Sequence, residues 1–290
     1  LSEAVKQDNT ELAQVFLNYG VNIDAQKFSG EPPLYLAAKE GTLSMVKFLI
    51  ERGADINADT RGYTALAVAS LYSHTDIVRL LLEHGANVNH RIPGTGLTPL
   101  HLTHSGVTLA VLLEYGADKE AKDENGYTPL FYAVTKQDSS LTRRLLNAGA
   151  DFEATDKWGH TALPNALVYG EQESREEICR YLISKGAPVN AKGPDRYGST
   201  VHRCCRFGEV EEVKLILELG GDAGLWYGMQ GTLLEAACNN ENKNDLRLVR
   251  YLVEQKGIDV NGPGSYLRSA MGEAFRSGGE SLIRYLLENG

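Results

Sequence analysis

Two groups of histidine and cysteine residues have spacings that could support chemistry. His101 and His104 form a His-x-x-His pair, which places two imidazoles on one helix face, where they could bind a metal ion. His202 lies three residues before Cys205 and near Asp195, an arrangement that could pair a cysteine nucleophile with a histidine base. No third ligand follows at a zinc-like spacing, and no glycine-rich phosphate-binding motif occurs. The sequence therefore predicts no enzyme active site, no metal site and no cofactor.

An acidic run offers a second kind of chemistry. Its members are Glu171, Glu173, Glu176 and Glu177, in the polar segment 169–177. A cation could bind such a cluster, but a run of like charge on an exposed loop is usually just solvated. We predict a surface loop at this segment and another at residues 239–245, which are polar and rich in asparagine.

Aromatic and arginine side chains point to the recognition of another protein. The chain has 14 tyrosines against 7 phenylalanines, and interface energy concentrates on tyrosine, tryptophan and arginine. The candidate partner-binding residues are Phe28, Arg61, Tyr63, Tyr72, Tyr127, Tyr132, Trp158, Tyr197, Arg203, Phe207, Trp226, Tyr227 and Tyr266. Whether they form one surface depends on the elements that carry them.

Those elements repeat. An apolar run that ends in glycine, usually followed by a small residue and then Asp or Asn, recurs at intervals of 31 to 37 residues. The glycines are Gly20, Gly53, Gly85, Gly116, Gly149, Gly186, Gly220, Gly257 and Gly290. A fixed period of this length indicates stacked units, in which each unit packs on its neighbours and equivalent positions line up in space.

The unit around residues 123–155 shows how each repeat is built. Thr128 is a good helix N-cap, and Pro129 follows at the first helical position, where its missing N–H costs nothing. The polar link 137–139 ends that helix, and a second one is predicted from about Ser140. Gly149 then ends the second helix, because glycine adopts the left-handed cap conformation without strain. A polar segment with hairpin turn residues completes the unit.

This pattern resembles the ankyrin repeat. The family signatures are Asp-x-x-Gly-x-Thr-Pro-Leu-His-x-Ala-Ala and Leu-Leu-x-x-Gly-Ala-Asp-Val-Asn, and pieces of them occur throughout the chain. The best matches are Asp59–Ala69, Thr98–His101, Asp123–Ala133, Gly53–Ala58 and Gly85–Asn89. The resemblance implies an all-α fold, an ankyrin-repeat solenoid of about nine helix-turn-helix-hairpin units. The expected units are 1–26, 27–58, 59–90, 91–122, 123–155, 156–192, 193–226, 227–262 and 263–290.

The resemblance also gives the histidines and cysteines a structural role. His101 and His202 occupy the histidine position of the signature, which in the family forms hydrogen bonds to a neighbouring hairpin. Cys204 and Cys205 occupy the paired-alanine position, where small apolar residues pack the helices together. These assignments favour structure over metal binding or nucleophilic catalysis.

The resemblance also implies where the aromatic residues lie in the solenoid. Those in or beside the hairpins would form a ladder along one edge, and others on the first helices would face the concave side. We place Leu36, Val68, Tyr72, Tyr132, Tyr169 and Phe207 on that concave side, with Arg61, Arg196, Arg203 and Arg206 alongside. Two functions follow from this arrangement. One is a module that binds a protein or peptide partner through its concave face and hairpin tips; the alternative is a structural spacer or self-association segment of a larger protein. At any one position the ring could instead pack on the neighbouring repeat.

Composition narrows the class of partner. The formal net charge is −9, with no basic stripe, so nucleic acid is not predicted as a partner. No apolar run approaches the roughly 20 residues that span a bilayer, so membrane insertion is not predicted. The four cysteines show no paired spacing, which favours the cytoplasm or nucleus. Because the chain starts at Leu1 rather than Met, we expect a monomeric fragment of a longer protein.

Overall fold

The computed structural model describes residues 1–26, 30–167, 172–191, 199–224, 231–240, 246–262, 269–277 and 279–290. The chain divides into two compact units. Unit 1 contains Leu1–Tyr132 and Asn147–Ala150, and unit 2 contains Ala133–Leu146 and Asp151–Gly290. No helix in these ranges is both long and apolar enough to cross a lipid bilayer.

Helices in pairs, with one short hairpin, make up unit 1. The helices are α1 (Ser2–Lys6), α2 (Thr10–Asn18), α3 (Pro33–Glu40), α4 (Leu43–Glu51), α5 (Ala65–Leu71), α6 (Thr75–Glu83), α7 (Pro99–Leu102) and α8 (Gly106–Glu114). The hairpin joins β1 (Asp59–Thr60) to β2 (Tyr63–Thr64), with Thr60 opposite Tyr63. The boundary between the units falls within α9 (Pro129–Thr135) and α10 (Ser139–Asn147).

Unit 2 continues the same alternation of short and longer helices. They are α11 (Ala162–Ala166), α12 (Gln172–Ser184), α13 (Thr200–Phe207), α14 (Val210–Glu218), α15 (Leu233–Cys238), α16 (Leu246–Arg250), α17 (Ala270–Ser277) and α18 (Glu280–Asn289). A π-helical turn, Tyr251–Gln255, directly follows α16. The predicted all-α fold class is therefore confirmed.

The start and stop signals act as the sequence indicated. The Thr128 hydroxyl accepts a hydrogen bond from the Phe131 amide at 3.3 Å, and Pro129 is the first residue of α9. Gly149 adopts a left-handed φ of 76° after α10. The second helix begins one residue earlier than expected, because the Asp138 carboxylate caps it by accepting from the Leu141 amide at 2.9 Å.

Successive repeats are tied together in two ways. The first is apolar: α3 packs on α5 and α5 on α7 in unit 1, and α11, α13, α15 and α17 pack in series in unit 2. The signature leucine position is buried at each, by Leu34, Leu66 and Leu100 in unit 1 and by Leu163, Val201 and Leu234 in unit 2. The second is polar: the Asn89 side chain accepts from the Asp118 amide at 2.8 Å and donates to the Gly116 carbonyl at 3.2 Å.

The predicted loop at 169–177 is wrong from Gln172 onward, because those residues begin the 13-residue helix α12. Helical spacing brings acidic residues of this run within reach of arginines, and the pairs stay about half exposed. Glu176 pairs with Arg180 one turn away, and Glu177 with Arg143 of α10 at 2.8 Å. Hydrogen bonds from Ser139 and Arg143 lower the pKa of Glu177. Glu171 lies outside the described residues.

The predicted surface loop at 239–245 is also wrong at its start. Asn240 is buried, and its amide donates to the carbonyls of Cys205 and Gly208, both at 2.9 Å. Cys205 lies in the last turn of α13 and Gly208 directly follows it, so the asparagine satisfies carbonyls at the end of this helix. Residues 241–245 lie outside the described part of the chain.

Candidate functional site

Three tyrosines of unit 1 lie near one another, since Tyr63 and Tyr72 both raise the pKa of Tyr35. Tyr35 comes from α3, Tyr63 from β2, and Tyr72 from the end of α5; we call them the tyrosine cluster. Tyr63 is half-buried and packs on the apolar group of Ala67 and Ile92, which fixes its ring. Tyr72 is 52% exposed. The cluster therefore contains one exposed ring, that of Tyr72, and two partly buried rings.

Tyr35 was not among the predicted site residues. It holds the histidine position of the signature, in Pro-Pro-Leu-Tyr, so a search for aromatic residues at that position would have found it. Burial raises the pKa of Tyr35, the positive charge of Lys39 opposes the rise, and Glu31, Tyr72 and Tyr63 add to it. Its hydroxyl stays protonated at neutral pH and is available as a donor.

A second aromatic group surrounds α9. The Tyr127 ring stacks on Phe131, with centroids 4.4 Å apart and planes 9° apart. The Tyr132 ring lies edge-on to His101 at 5.5 Å, and its hydroxyl donates to the Asp123 carboxylate at 3.2 Å. Burial, and then the negative charge of Asp123, raise the pKa of Tyr132 to about 12. Both tyrosines are half-buried, so each combines a packed face with an accessible edge.

The candidate residues of unit 2 are less concentrated. Trp158 is 50% exposed at a hairpin, and the Lys157 ammonium lies 4.5 Å from the centroid of its ring. Arg203 is half-buried and donates to the Asn165 side chain at 3.1 Å. Phe207, also half-buried, ends α13. Of these, the Trp158 ring is the most accessible apolar surface.

Two residues predicted for the concave surface are instead core residues. Leu36 and Val68 are only 2% and 1% exposed, because the packing of α3 against α5 covers them. Five other candidates lie outside the described residues, namely Phe28, Tyr197, Trp226, Tyr227 and Tyr266. The ladder of hairpin aromatics along the whole chain accordingly stays a prediction.

His101 has the structural role that the resemblance implied. Its Nε2 donates to the Tyr127 carbonyl at 3.0 Å, and its Nδ1 accepts from the Thr98 amide at 3.2 Å. The amide donor requires a lone pair on Nδ1, so the ring is neutral with its proton on Nε2. Both nitrogens are thus engaged, whereas His104 is exposed. No group of three metal-ligating side chains occurs among the residues that the structure describes.

His202 repeats this arrangement in unit 2. Its Nδ1 lies 3.0 Å from the Ser199 hydroxyl, and its Nε2 donates to the Gly231 carbonyl at 3.2 Å. Cys205 is fully buried, and burial raises the pKa of its thiol well above the ordinary value. A nucleophilic cysteine needs a thiolate, which this environment disfavours. The pair therefore serves packing and hydrogen bonding.

Both histidines make the stability of the fold depend on pH. Burial lowers the pKa of His101 and of His202 below the ordinary 6.5, so the folded chain holds both rings neutral. Below pH 6.5 these two histidines bind protons in the unfolded chain but not in the folded chain. We expect full stability above pH 6.5 and a loss as the pH falls below it, by at most about 1.4 kcal/mol per pH unit for each histidine.

Urea unfolding at pH 7.5, 6.5 and 5.5 measures this dependence. His101→Gln should flatten the profile, whereas His84→Gln, which changes an exposed histidine, should leave it unchanged. Equal slopes for the wild type and His101→Gln would show that His101 does not carry the effect.

Comparison with known proteins gives one family. The family model for ankyrin repeats, which describes three copies of the repeat, matches three stretches of the chain: residues 1–92, 92–156 and 135–225. The crystal structure of the ankyrin repeat domain of Bcl-3, a member of the IkappaB protein family, is similar with a TM-score of 0.64 and 26% identity. That similarity covers 74% of this chain and 96% of the Bcl-3 chain.

Curated relatives carry the same repeats within longer proteins. A putative ankyrin repeat protein of fowlpox virus is 35% identical over 35% of this chain and 31% of its own length. Ankyrin repeat and SOCS box protein 16 of Mus musculus is 33% identical over 71% of this chain and 47% of its own length. The chain thus spans less than half of either relative.

Proposed function

Since the chain belongs to the ankyrin-repeat family, whose members generally serve as protein–protein interaction modules, we propose that its unit 1 binds a peptide segment of a partner protein at the tyrosine cluster. The observation that carries this proposal is the 52% exposure of Tyr72, whose ring stacks on His74 and lies near the partly buried Tyr35 and Tyr63. Unlike an isolated surface aromatic, this ring belongs to a cluster of three.

The physical composition of the cluster suits a binding surface. Tyrosine presents a large, rigid, amphipathic ring whose immobilisation costs little entropy. Tyr63 is held by the core beneath it, so less ordering is needed when a partner binds. The Tyr35 hydroxyl and the Lys39–Glu31 ion pair, at 3.3 Å, supply hydrogen-bonding groups around the rings. An apolar centre with a polar rim is the usual anatomy of an interface.

The remaining candidate residues extend the proposal. Tyr127 and Tyr132 offer ring edges around α9, and Arg61 lies at the hairpin tip next to the cluster. In unit 2, Trp158, Arg203 and Phe207 are proposed as additional contacts. The same role is proposed for the candidates outside the described residues. Each unit would then offer contacts of its own to a partner.

Selection of a 12-residue peptide library displayed on phage tests the proposal. We expect the wild-type chain to enrich a family of peptides and Tyr72→Ala to bind them at least about 10-fold more weakly, as for an interface hot spot. Tyr19→Ala is the matched control, because Tyr19 is 85% exposed on another helix end. Equal affinity for Tyr72→Ala and wild type, or no enriched peptide, would contradict the proposed site.

A further inference from the structure

Arg61 has a backbone conformation that arginine rarely adopts. Thr60 pairs with Tyr63, which leaves Arg61 and Gly62 as a two-residue hairpin loop. Their φ angles are 52° and 85°, both positive, as in the type I′ turn. Asn-Gly is the preferred sequence of this turn, because asparagine and glycine tolerate the left-handed region better than other residues. Arginine at this position therefore costs local stability relative to asparagine.

The hairpin is held firmly enough to impose that conformation. The Asp59 carboxylate accepts from the Gly62 amide at 2.8 Å, and His90 Nε2 donates to the Gly62 carbonyl at 2.8 Å. Gly62 also contacts Pro93 so closely that a Cβ atom would lie 2.2 Å from the proline ring. These contacts fix the loop from both sides, and they involve backbone and neighbouring residues rather than the Arg61 side chain.

The Arg61 side chain itself is not used by the fold. It is exposed, and it forms no hydrogen bond or ion pair with any residue in the described ranges. The nearest cation of the tyrosine cluster, Lys39, is neutralised by Glu31 at 3.3 Å. Arg61 is thus an unpaired positive charge in the hairpin loop that leads into Tyr63 of the tyrosine cluster. A guanidinium in this position matches a carboxylate, which can accept two of its hydrogen bonds at once.

We propose that Arg61 binds the carboxylate of an aspartate or glutamate in the peptide that docks on the tyrosine cluster. This inference rests on the proposed function and adds the chemistry of the partner. The aromatic rings contact the apolar part of the peptide, and the guanidinium fixes its register by a charge-assisted, bidentate pair. The hairpin loop would then present this charge next to the strand that carries Tyr63.

A two-by-two comparison tests the pair. An acidic peptide enriched from the 12-residue library is compared with its Asp→Asn or Glu→Gln amide form, each on the wild type and on Arg61→Asn. We expect the acidic peptide to lose at least about 10-fold in affinity on Arg61→Asn and the amide peptide to lose little. Arg52→Asn removes an exposed guanidinium after α4, so it is the matched control.

The outcomes separate this inference from the proposed function. Enriched peptides without a shared acidic residue, or an equal loss for the acidic and amide forms, would overturn the role of Arg61 alone. No enriched peptide at all would overturn the proposed function and this inference with it. In thermal unfolding, Arg61→Asn should melt above the wild type, because asparagine relieves the left-handed strain. A lower melting temperature would overturn the view that arginine is retained here for binding.

Discussion

Arg175→Met is expected to lower the free energy of unfolding of unit 2 by about 3–5 kcal/mol. Arg175 of α12 pairs with Glu212 of α14 at 2.5 Å, and the two side chains are only 17% and 4% exposed. Without the guanidinium, the Glu212 carboxylate would remain buried without an opposite charge. An unpaired buried charge is among the most destabilising features in a protein interior. Chemical denaturation followed by circular dichroism measures the loss.

Two further variants show whether burial is the cause. Arg284→Met breaks the exposed pair with Glu280, so it should change stability by less than about 1 kcal/mol. Adding Glu212→Gln to Arg175→Met removes the orphaned charge, while the amide oxygen can still accept from the Glu209 amide, as the carboxylate does. The double variant should be more stable than Arg175→Met. If Arg175→Met matches Arg284→Met, the buried pair is not an important part of unit 2.

Phe131→Ala is expected to cost about 3–5 kcal/mol and to weaken peptide binding as well. Phe131 is 2% exposed and is among the largest fully buried side chains. Truncation removes its buried surface and leaves a cavity beneath Tyr127, whose ring stacks on it at 4.4 Å. Tyr127 would then lose the support that orients it. Denaturation gives the stability change, and titration with a selected peptide gives the change in affinity.

Phe275→Ala is a suitable control for this second experiment, because Phe275 is an exposed phenylalanine on α17. Its truncation should change stability by less than about 1 kcal/mol. Phe131→Leu should fall between the wild type and Phe131→Ala, since it keeps most of the buried volume. A loss below 1 kcal/mol for Phe131→Ala would mean that the site collapses around the smaller residue and that Tyr127 does not depend on the stack.

The histidine position of the repeat carries different side chains in different repeats, and these side chains have different roles. His101 and His202 use this position to bond a first helix to a carbonyl that precedes the first helix of the next repeat, at Tyr127 and Gly231. Phe131 fills the same slot with an apolar ring, and Tyr35 places a half-buried hydroxyl beside two other tyrosines. In these repeats the side chain at this position decides whether the junction with the next repeat is polar, apolar or available to a partner.

Local rules explain what could be predicted about the fold and the site. The period of the glycines, the Thr128 cap, the Pro129 start and the left-handed Gly149 depend on a few neighbouring residues, and each occurs as predicted. The hydrogen bond of His101 to the next hairpin followed from the family resemblance. The two loop predictions failed where contacts with other helices mattered more than local composition. In α12 an acidic residue pairs with an arginine, and Asn240 is buried with its amide bonded to backbone carbonyls.

The sequence by itself determined the repeat, the caps that begin and end helices such as α9 and α10, and the residue types suited to binding a protein, because these follow from short-range capping, periodicity and composition. Only the tertiary structure decided which of those residues are accessible. It buried Leu36 and Val68, brought Tyr35 to Tyr63 and Tyr72, and left Arg61 exposed on a strained turn. The physical reason is that burial and proximity arise from contacts between repeats some 30 residues apart, which no local pattern encodes.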